Sequence, residues 1–397
     1  MESLVKRILS ARVYDVAKIT PLDDAKRLSD EINNRVLVKR EDQQPVFSFK
    51  LRGAYNKIVQ LSPEQRINGV IAASAGNHAQ GVALAGAKLG CRALIVMPLN
   101  TPLIKKEAVE ALGGETLMFG DNFDAANVHA QTLAAEHDMA FIPPYDDADV
   151  IAGQGTVAVE LLRDQPDELD VVFVPVGGGG LIAGMAAYIK YLRPEVKVVG
   201  VEPEGAACLQ AAMQSGERTI LDQVDLFADG VAVRQIGAEP FKIARQCVDE
   251  VITVSTDEIC AAVRDLFIDL RAVSEPAGAV GLAGLKKYAV EHKLRGKTLA
   301  TVASGANVNF DRLRHIAERA ESGAQREAML AVTIDEQPGS FYRFCELLGE
   351  RAITEFNYRY ADDKAAQVFV GVRVNGGKER ESLIGELHAG GYAVVDM

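Results

Sequence analysis

Several residue types and patterns that mark large classes of proteins are missing from this sequence. It contains no tryptophan, and its five cysteines include no CxxC pair. An odd number of cysteines at such spacings argues against a disulfide framework and a cysteine metal site, and favours a reduced, cytoplasmic protein. No apolar run reaches the roughly 18 residues of a membrane-spanning helix, and the charged N-terminus differs from a signal peptide.

Positive charge is also scarce. The 43 lysines and arginines are outnumbered by 55 aspartates and glutamates, which gives a net charge of -12. This balance argues against nucleic acid or an anionic membrane surface as the main partner. The six histidines show no spacing typical of metal ligands, so we expect no required metal ion. The remaining composition, 48% hydrophobic and 25% charged, is that of a globular protein with two or three domains.

Strand-like and helix-like segments alternate through the first three quarters of the chain. Short apolar runs predict strands at residues 70–73, 93–97, 116–119, 171–176, 197–201 and 299–302. Helical spacing predicts helices at residues 80–89, 104–112, 123–136 and 183–192. This alternation predicts an α/β fold in which helices cover both faces of a parallel sheet.

The pattern changes after residues 317–323, a polar segment that we predict to be a linker. Beyond it the sequence predicts strands at 328–334, 353–360, 367–374 and 392–395, with helices at 340–348 and 379–389. The order β-α-β-β-α-β is typical of a ferredoxin-like module. This module has few side chains suited to catalysis, so we expect it to bind or regulate.

Lys50 is the most informative single residue, because it lies between the apolar residues Phe49 and Leu51. An amine in apolar surroundings loses solvation of its charged form, so its pKa falls and its lone pair becomes available. A lysine that forms a Schiff base needs this property. Taken alone, the residue fits a lysine whose stem lies along the core with its charged end in water.

A run of four glycines, Gly177, Gly178, Gly179 and Gly180, follows the predicted strand at 171–176. Consecutive glycines allow backbone N–H groups to converge on one anion, and the helix that follows adds its N-terminal dipole. The run therefore predicts a phosphate site, with a flexible loop as the alternative.

The identity of that phosphate is open from the glycines alone. Gly178, Gly180 and Ala183 fit the dinucleotide pattern G-x-G-x-x-A, and Glu202 lies near the end of the next strand, so a nicotinamide oxidoreductase is an alternative. Polar loops at 74–81 and 304–309 also follow predicted strands, and ligands bind at such strand ends. A lysine, a phosphate site and two polar loops suit a monophosphate cofactor with a reactive carbonyl better.

Five segments together resemble the fold-type II pyridoxal-phosphate enzymes, which share a tryptophan synthase β-like fold, and most closely the biosynthetic threonine dehydratases. They are SFKLRGA (48–54), SAGNHAQG (74–81), VGGGGL (176–181), SEPAGA (274–279) and SGAN (304–307). The resemblance covers essentially the whole chain. It implies a two-lobed catalytic domain at residues 1–320, with a smaller lobe near 54–152, and an ACT-like regulatory domain at 325–397.

The resemblance also implies a role for particular residues in binding pyridoxal 5'-phosphate. Lys50 would attach the cofactor covalently beside Phe49, Asn77 would bond the ring hydroxyl, and Ser304 would face the pyridine nitrogen. The phosphate would be held by the backbone of Gly177, Gly178, Gly179, Gly180 and Leu181. The substrate would be bound by Ser74, Ala75, Gly76, Asn77 and His78. Taken singly, Asn77 could be a loop residue bonding its own backbone, and Ser304 a helix cap.

The activity implied is the β-elimination of L-threonine to 2-oxobutanoate and ammonia, the first step of isoleucine biosynthesis, with L-serine as a second substrate. Ala75 stands where related serine racemases have a serine, so we expect no efficient racemisation. A serine or broad hydroxy-amino-acid dehydratase is a near alternative. A nicotinamide oxidoreductase and a catalytically idle amino-acid sensor are alternatives of other classes.

The C-terminal resemblance rests on residues 344–348 and 353–360. It implies regulation by isoleucine and sometimes valine, and the relatives suggest a homotetramer. The chain ends after one ACT-like subdomain where larger relatives have two, so it is either a naturally short form or a shortened one.

Overall fold

The structure is a computed structural model that describes residues 1–323, 326–360 and 365–397. It contains two compact units. The first comprises residues 1–255 and 265–310, and the second comprises residues 256–264 and 311–397.

The elements are numbered in chain order. The strands are β1 Leu22–Asp24, β2 Arg35–Lys39, β3 Val70–Ala73, β4 Ala93–Met97, β5 Glu115–Met118, β6 Ala140–Phe141, β7 Val171–Pro175, β8 Lys197–Pro203, β9 Glu250–Val254, β10 Thr298–Val302, β11 Glu327–Asp335, β12 Ile353–Tyr360, β13 Ala365–Arg373 and β14 Ala393–Asp396. The helices are α1 Glu2–Leu9, α2 Lys26–Ile32, α3 Lys50–Val59, α4 Pro63–Asn68, α5 Asn77–Leu89, α6 Leu103–Ala111, α7 Phe123–Glu136, α8 Ala148–Asp164, α9 Gly180–Leu192, α10 Cys208–Ser215, α11 Ala238–Cys247, α12 Thr256–Leu270, α13 Pro276–Glu291, α14 Arg312–Gly323, α15 Ser340–Leu348 and α16 Gly377–Ala389.

The first unit is built on two sheets. The larger sheet has the order β1-β2-β10-β7-β8-β9, and only β1 runs antiparallel to its neighbour. The smaller sheet has the order β5-β4-β3-β6 and is parallel throughout. Strand β10 is last of these in the chain, yet it lies centrally between β2 and β7. The loops that follow β7 and β10 therefore meet at one edge of the sheet, where ligands of such sheets bind.

Burial on both faces explains the continuous apolar runs of this unit. All five residues of β7 are buried, and β7 and β10 both pack against α13. Val172 and Val174 share a core cluster with Ile182 and Met185 of α9. A strand covered on both sides needs apolar residues at every position instead of alternate ones. The predicted α/β body is thus confirmed.

A buried ionic network fixes the start of α3. The guanidinium of Arg52 donates to the carboxylates of Glu41 and Glu160 at 2.8 and 2.7 Å, and the Lys39 amine lies 2.9 Å from Glu160. All four side chains are fully buried. Because two buried cations face two buried anions, their mutual attraction offsets the free-energy cost of removing all four charged groups from water. The network holds the turn that carries Lys50.

The second unit contains one antiparallel sheet with the order β12-β13-β11-β14. Alternate residues of β11 are buried, among them Leu330 and Val332, and they share a core cluster with Phe344 of α15 and Leu383 of α16. A sheet covered on one face needs only this alternation. The predicted β-α-β-β-α-β order is confirmed.

The linker predicted at 317–323 is wrong, because these residues lie in α14. Residues 317–319 lie on the exposed side of this helix, which explains their polarity. Ile316 and Ala320 are buried, whereas Arg314 pairs with Glu318 one turn away at 2.8 Å. No helix in the described part of the chain is long and apolar enough to cross a membrane.

Candidate active site

A cavity lies in the first unit where the loops after β7 and β10 meet. Its wall includes most of the residues that the sequence assigned to a cofactor site. They are Phe49, Lys50, Asn77, Gly177, Gly178, Gly179, Gly180, Leu181 and Ser304. These residues come from four separate segments of the chain, so the fold brings together what the sequence only suggested as a set.

Lys50 is the first residue of α3 and presents its amine to this cavity. The Nζ atom lies 3.4 Å from the carbonyl oxygen of Pro144 and 5.3 Å from the centroid of the Phe49 ring. Burial lowers the pKa of Lys50 from 10.5 to about 8, although the nearby Glu275 carboxylate acts in the opposite direction. A useful fraction of the amine is therefore neutral near physiological pH, as a nucleophile or base requires.

The glycine run forms a turn that packs so closely against neighbouring residues that side chains would not fit. A Cβ atom on Gly178 would lie 2.1 Å from the ring of Tyr145, and one on Gly177 would lie 2.8 Å from the Cα atom of Val231. Gly179 has a φ of 90°, in the left-handed region that favours glycine. The run leads directly into α9, whose first N–H groups lack intrahelical partners. This arrangement suits a phosphate group.

Asn77 and Ser304 place neutral polar groups on the cavity wall. Asn77 begins α5, and its amide is bonded on both sides, to Glu275 and to Asn307. The Ser304 hydroxyl donates to the carbonyl oxygen of Ala277 at 3.4 Å, a long contact that leaves the hydroxyl free to serve a ligand.

Of the other predicted substrate residues, Ser74, Ala75 and Gly76 are partly exposed and His78 is buried. Of the loop 74–78, all of which the structure describes, only Asn77 lines the cavity. The Ser74 hydroxyl accepts a hydrogen bond from the backbone N–H of Gly76 at 3.2 Å. His78 bonds the carbonyl oxygen of Ile142 at 2.8 Å, and burial lowers its pKa to about 3, so the ring is neutral.

Similarity to known proteins identifies the family of this chain. Residues 13–305 match the model of the pyridoxal-phosphate dependent enzymes, and residues 318–397 match that of the C-terminal regulatory domain of threonine dehydratase. This chain belongs to the threonine dehydratase family. The biosynthetic L-threonine dehydratase IlvA of Pasteurella multocida is 57% identical over 393 residues, which are 99% of this chain and 76% of that protein. The Escherichia coli IlvA is 55% identical over 394 residues, with the same two shares.

Solved structures agree with this family. The processed form of threonine deaminase isoform 2 from Solanum lycopersicum is 46% identical, with a TM-score of 0.79, over 80% of this chain and 93% of that one. Maize serine racemase is 31% identical, with a TM-score of 0.74, over 80% of this chain and 98% of that one. The predicted fold, lyase class and pyridoxal-phosphate cofactor are thereby confirmed.

The residues of this threonine dehydratase fit that cofactor. A half-buried lysine with a lowered pKa can react with an aldehyde, and the glycine turn at the start of α9 offers backbone N–H groups that suit a phosphate. Two further wall residues, Glu275 and Tyr145, received no role from the sequence. The only signal for Glu275 was its place in the segment 274–279, and Tyr145 had none.

The dinucleotide alternative fails at Glu202. This carboxylate is fully buried and accepts hydrogen bonds from the backbone N–H groups of Leu209 and Gln210 at 2.7 and 2.8 Å. It caps α10 and is not available to a ribose hydroxyl. Burial raises the pKa of Glu202 from 4.5 to about 7.

That raised pKa predicts a pH-dependent stability. Because the folded state favours the protonated acid, Glu202 contributes stability that is complete below pH 4.5 and is lost as pH rises through about 7. The contribution is up to about 3 kcal/mol. Relative to wild type, Glu202→Gln should therefore gain stability between pH 4.5 and 7.5 in urea unfolding. Glu136→Gln, at an exposed position, is the control, and parallel stability curves for wild type and Glu202→Gln would contradict the assignment.

Proposed function

We propose that this chain converts L-threonine to 2-oxobutanoate and ammonia by β-elimination and also accepts L-serine. The observation that carries the proposal is the Lys50 amine, with a pKa of about 8, in one cavity with the glycine turn. Relatives more than half identical over almost the whole chain carry the name threonine dehydratase. When bound, pyridoxal phosphate supplies the electron sink for the breaking of the substrate's Cα–H bond.

The side chains of this chain take the remaining tasks. Lys50 would hold the cofactor covalently and, once an amino acid has displaced it, its neutral amine would take the Cα proton. The backbone from Gly177 to Leu181 would hold the phosphate. Asn77 would bond the ring oxygen, beside Phe49. Ser304 would face the ring nitrogen, and a hydroxyl, unlike a carboxylate, does not keep that nitrogen protonated.

The substrate carboxylate is proposed to bind at the start of α5. The segment Ser74, Ala75, Gly76, Asn77 and His78 leads into this helix, whose first N–H groups have no intrahelical partner. The helix dipole favours an anion at the same place. The buried neutral ring of His78 supports a backbone contribution and no charge from the side chain.

The test of the proposed activity is a steady-state assay of 2-oxo acid formation from L-threonine and from L-serine by the purified protein loaded with pyridoxal phosphate. Formation of 2-oxobutanoate at a rate typical of enzymes, roughly 1–10³ per second, supports the proposal. Turnover of L-serine alone would assign the chain to the serine dehydratases. A loaded protein that forms neither product would be an amino-acid sensor, and the proposal would be wrong.

Ala75 carries a prediction about stereochemistry. A methyl group cannot donate a proton to the second face of the substrate carbon, so the wild-type protein should form no measurable D-serine from L-serine. The Ala75→Ser variant places a hydroxyl there and should form D-serine alongside pyruvate. Chiral chromatography of the reaction mixture measures both. The control is Ala75→Val, which adds bulk without an acidic proton, and D-serine from wild type would contradict the assignment.

We propose a catalytic domain at residues 1–320 and a regulatory domain at residues 325–397, the latter with an effector site for isoleucine and valine. The support is the match of residues 318–397 to the regulatory domain of threonine dehydratase. Coupling between two sites requires that the effector bind one state of the enzyme better than another.

The expected result is a loss of initial rate with added isoleucine. At a substrate concentration below KM, saturating isoleucine should lower the rate about 5- to 150-fold, the usual range of allosteric coupling. Norleucine is the control for a general effect of apolar amino acids. Unchanged rates at millimolar isoleucine would contradict an effector site in this chain.

A homotetramer in the cytoplasm is also proposed, on the strength of family resemblance. Sedimentation equilibrium of the loaded protein measures the assembly. A mass of one or two chains at micromolar concentration would contradict it.

A further inference from the structure

Three side chains, Glu275, Asn77 and Asn307, form a hydrogen-bonded row, and the first two line the cavity. The Asn77 Nδ2 atom donates to the Glu275 Oε1 atom at 2.5 Å, and the Asn307 Nδ2 atom donates to the Asn77 Oδ1 atom at 2.6 Å. The same Asn307 nitrogen donates its second hydrogen to the carbonyl oxygen of Val46 at 2.9 Å. Both ends of the Asn77 amide are therefore assigned, with its oxygen toward a donor and its nitrogen toward an acceptor.

The carboxyl group of Glu275 has little freedom to leave this position. Its residue is only 3% exposed, and the next residue begins α13. A Cβ atom on Gly305 would lie 2.2 Å from the Glu275 Oε1 atom, so the glycine makes room for the carboxyl group. On another side, a Cβ atom on Gly230 would lie 3.7 Å from the same Glu275 oxygen. The Glu275 carboxyl group, which accepts the hydrogen bond from Asn77, is therefore held in place by the residues around it.

Glu275 is also an unusual acid electrostatically. Lys50, Lys105 and Asp229 are the charged groups that act on it, and Lys105 pairs with Asp229 at 2.7 Å. Burial and the Asp229 charge raise the pKa of Glu275 to about 7, against the opposing effects of Asn77 and the two lysines. A carboxyl group buried among these charges, with a specific hydrogen-bond partner on the cavity wall, indicates a functional role.

We propose that Glu275 is a positioning residue that acts through Asn77. An amide nitrogen has two N–H groups, and the Glu275 carboxyl takes one of them. The second is then directed into the cavity, where Asn77 holds the cofactor's ring oxygen. The inference rests on the proposed function for the identity of that oxygen. In this arrangement Glu275 touches neither substrate nor cofactor.

A double-mutant cycle on cofactor affinity tests this role. Pyridoxal phosphate is removed from the protein and titrated back, and its Kd is followed by fluorescence in wild type, Glu275→Ala, Asn77→Ala and the double variant. A hydrogen bond to a charged group is worth roughly tenfold or more in affinity. We expect each single variant to raise Kd about 10-fold. In the Asn77→Ala background, Glu275→Ala should change Kd less than about 2-fold, because Glu275 then has no Asn77 side chain to position.

Two further variants exclude a merely structural effect. Glu275→Gln keeps an oxygen acceptor of nearly the same size, so its Kd should stay within about threefold of wild type. Glu202→Gln removes another buried carboxyl group that makes no hydrogen bond with Asn77, so it should leave Kd unchanged. Additive effects of Glu275→Ala and Asn77→Ala, or a loss in Glu275→Gln as large as in Glu275→Ala, would overturn the proposal. Because the titration needs no turnover, a protein inactive on threonine would still report on Glu275.

Discussion

Replacement of Lys50 by alanine is expected to lower kcat for L-threonine by at least about 10³-fold, the scale of a lost general base. The same variant should lose covalent attachment of the cofactor. The reason is local, since the Lys50 Nζ atom is an amine with a pKa lowered to about 8 on the wall of the glycine-lined cavity. Initial rates measure the first effect. Borohydride reduction of the loaded protein, followed by peptide mass analysis, measures the second.

Lys57→Ala is the matched control for this substitution. Lys57 lies two turns further along α3 and pairs with Asp147 at 2.7 Å, so its loss removes a lysine from the same helix without touching the cavity. Its kcat should remain within about twofold of wild type, because surface ion pairs contribute little. Threonine turnover in Lys50→Ala within tenfold of wild type would refute the role of Lys50, and a labelled peptide lacking residue 50 would refute the attachment.

The features that could be predicted from sequence depend on residues close together in the chain. The run 171–176 is apolar at every position, and it became β7, buried on both faces. The glycines that follow have no side chains to pack and tolerate unusual backbone angles, and they form the turn into α9. Lys50 was identified because both of its neighbours are apolar. In each case a local pattern and its physical consequence occupy the same few residues.

The features that escaped prediction depend on contacts between distant residues. Glu275 meets Asn77 across 198 positions, and Arg52 meets Glu160 across 108. A lone glutamate or arginine in a sequence is normally read as exposed, because burial of a charge is rare without a partner that no local pattern reveals. The position of β10 between β2 and β7 is hidden for the same reason. Polarity also misled at 317–323, where the charged side of α14 resembled a linker.

Replacement of Gly178 by alanine is expected to weaken pyridoxal phosphate binding about 10- to 100-fold. A Cβ atom at this position would lie 2.1 to 2.2 Å from three atoms of the Tyr145 ring, far inside van der Waals contact. Either the ring or the glycine turn must move, and overpacking of this kind costs about 1–3 kcal/mol. Because the turn would hold the phosphate through its backbone, this displacement should weaken cofactor binding. Fluorescence titration of the cofactor-free protein measures Kd.

Gly385→Ala is the control with the same chemical change. Gly385 lies in α16, and a Cβ atom there meets nothing within 4 Å, so alanine should leave Kd unchanged and stabilise the helix by up to about 1 kcal/mol. The two variants separate the effect of the added methyl group from the effect of its position. An unchanged Kd in Gly178→Ala would mean that the phosphate does not depend on this turn. The anion would then have to be held elsewhere on the cavity wall, and the assignment of Gly177 to Leu181 would fail together with the reason for four glycines in succession.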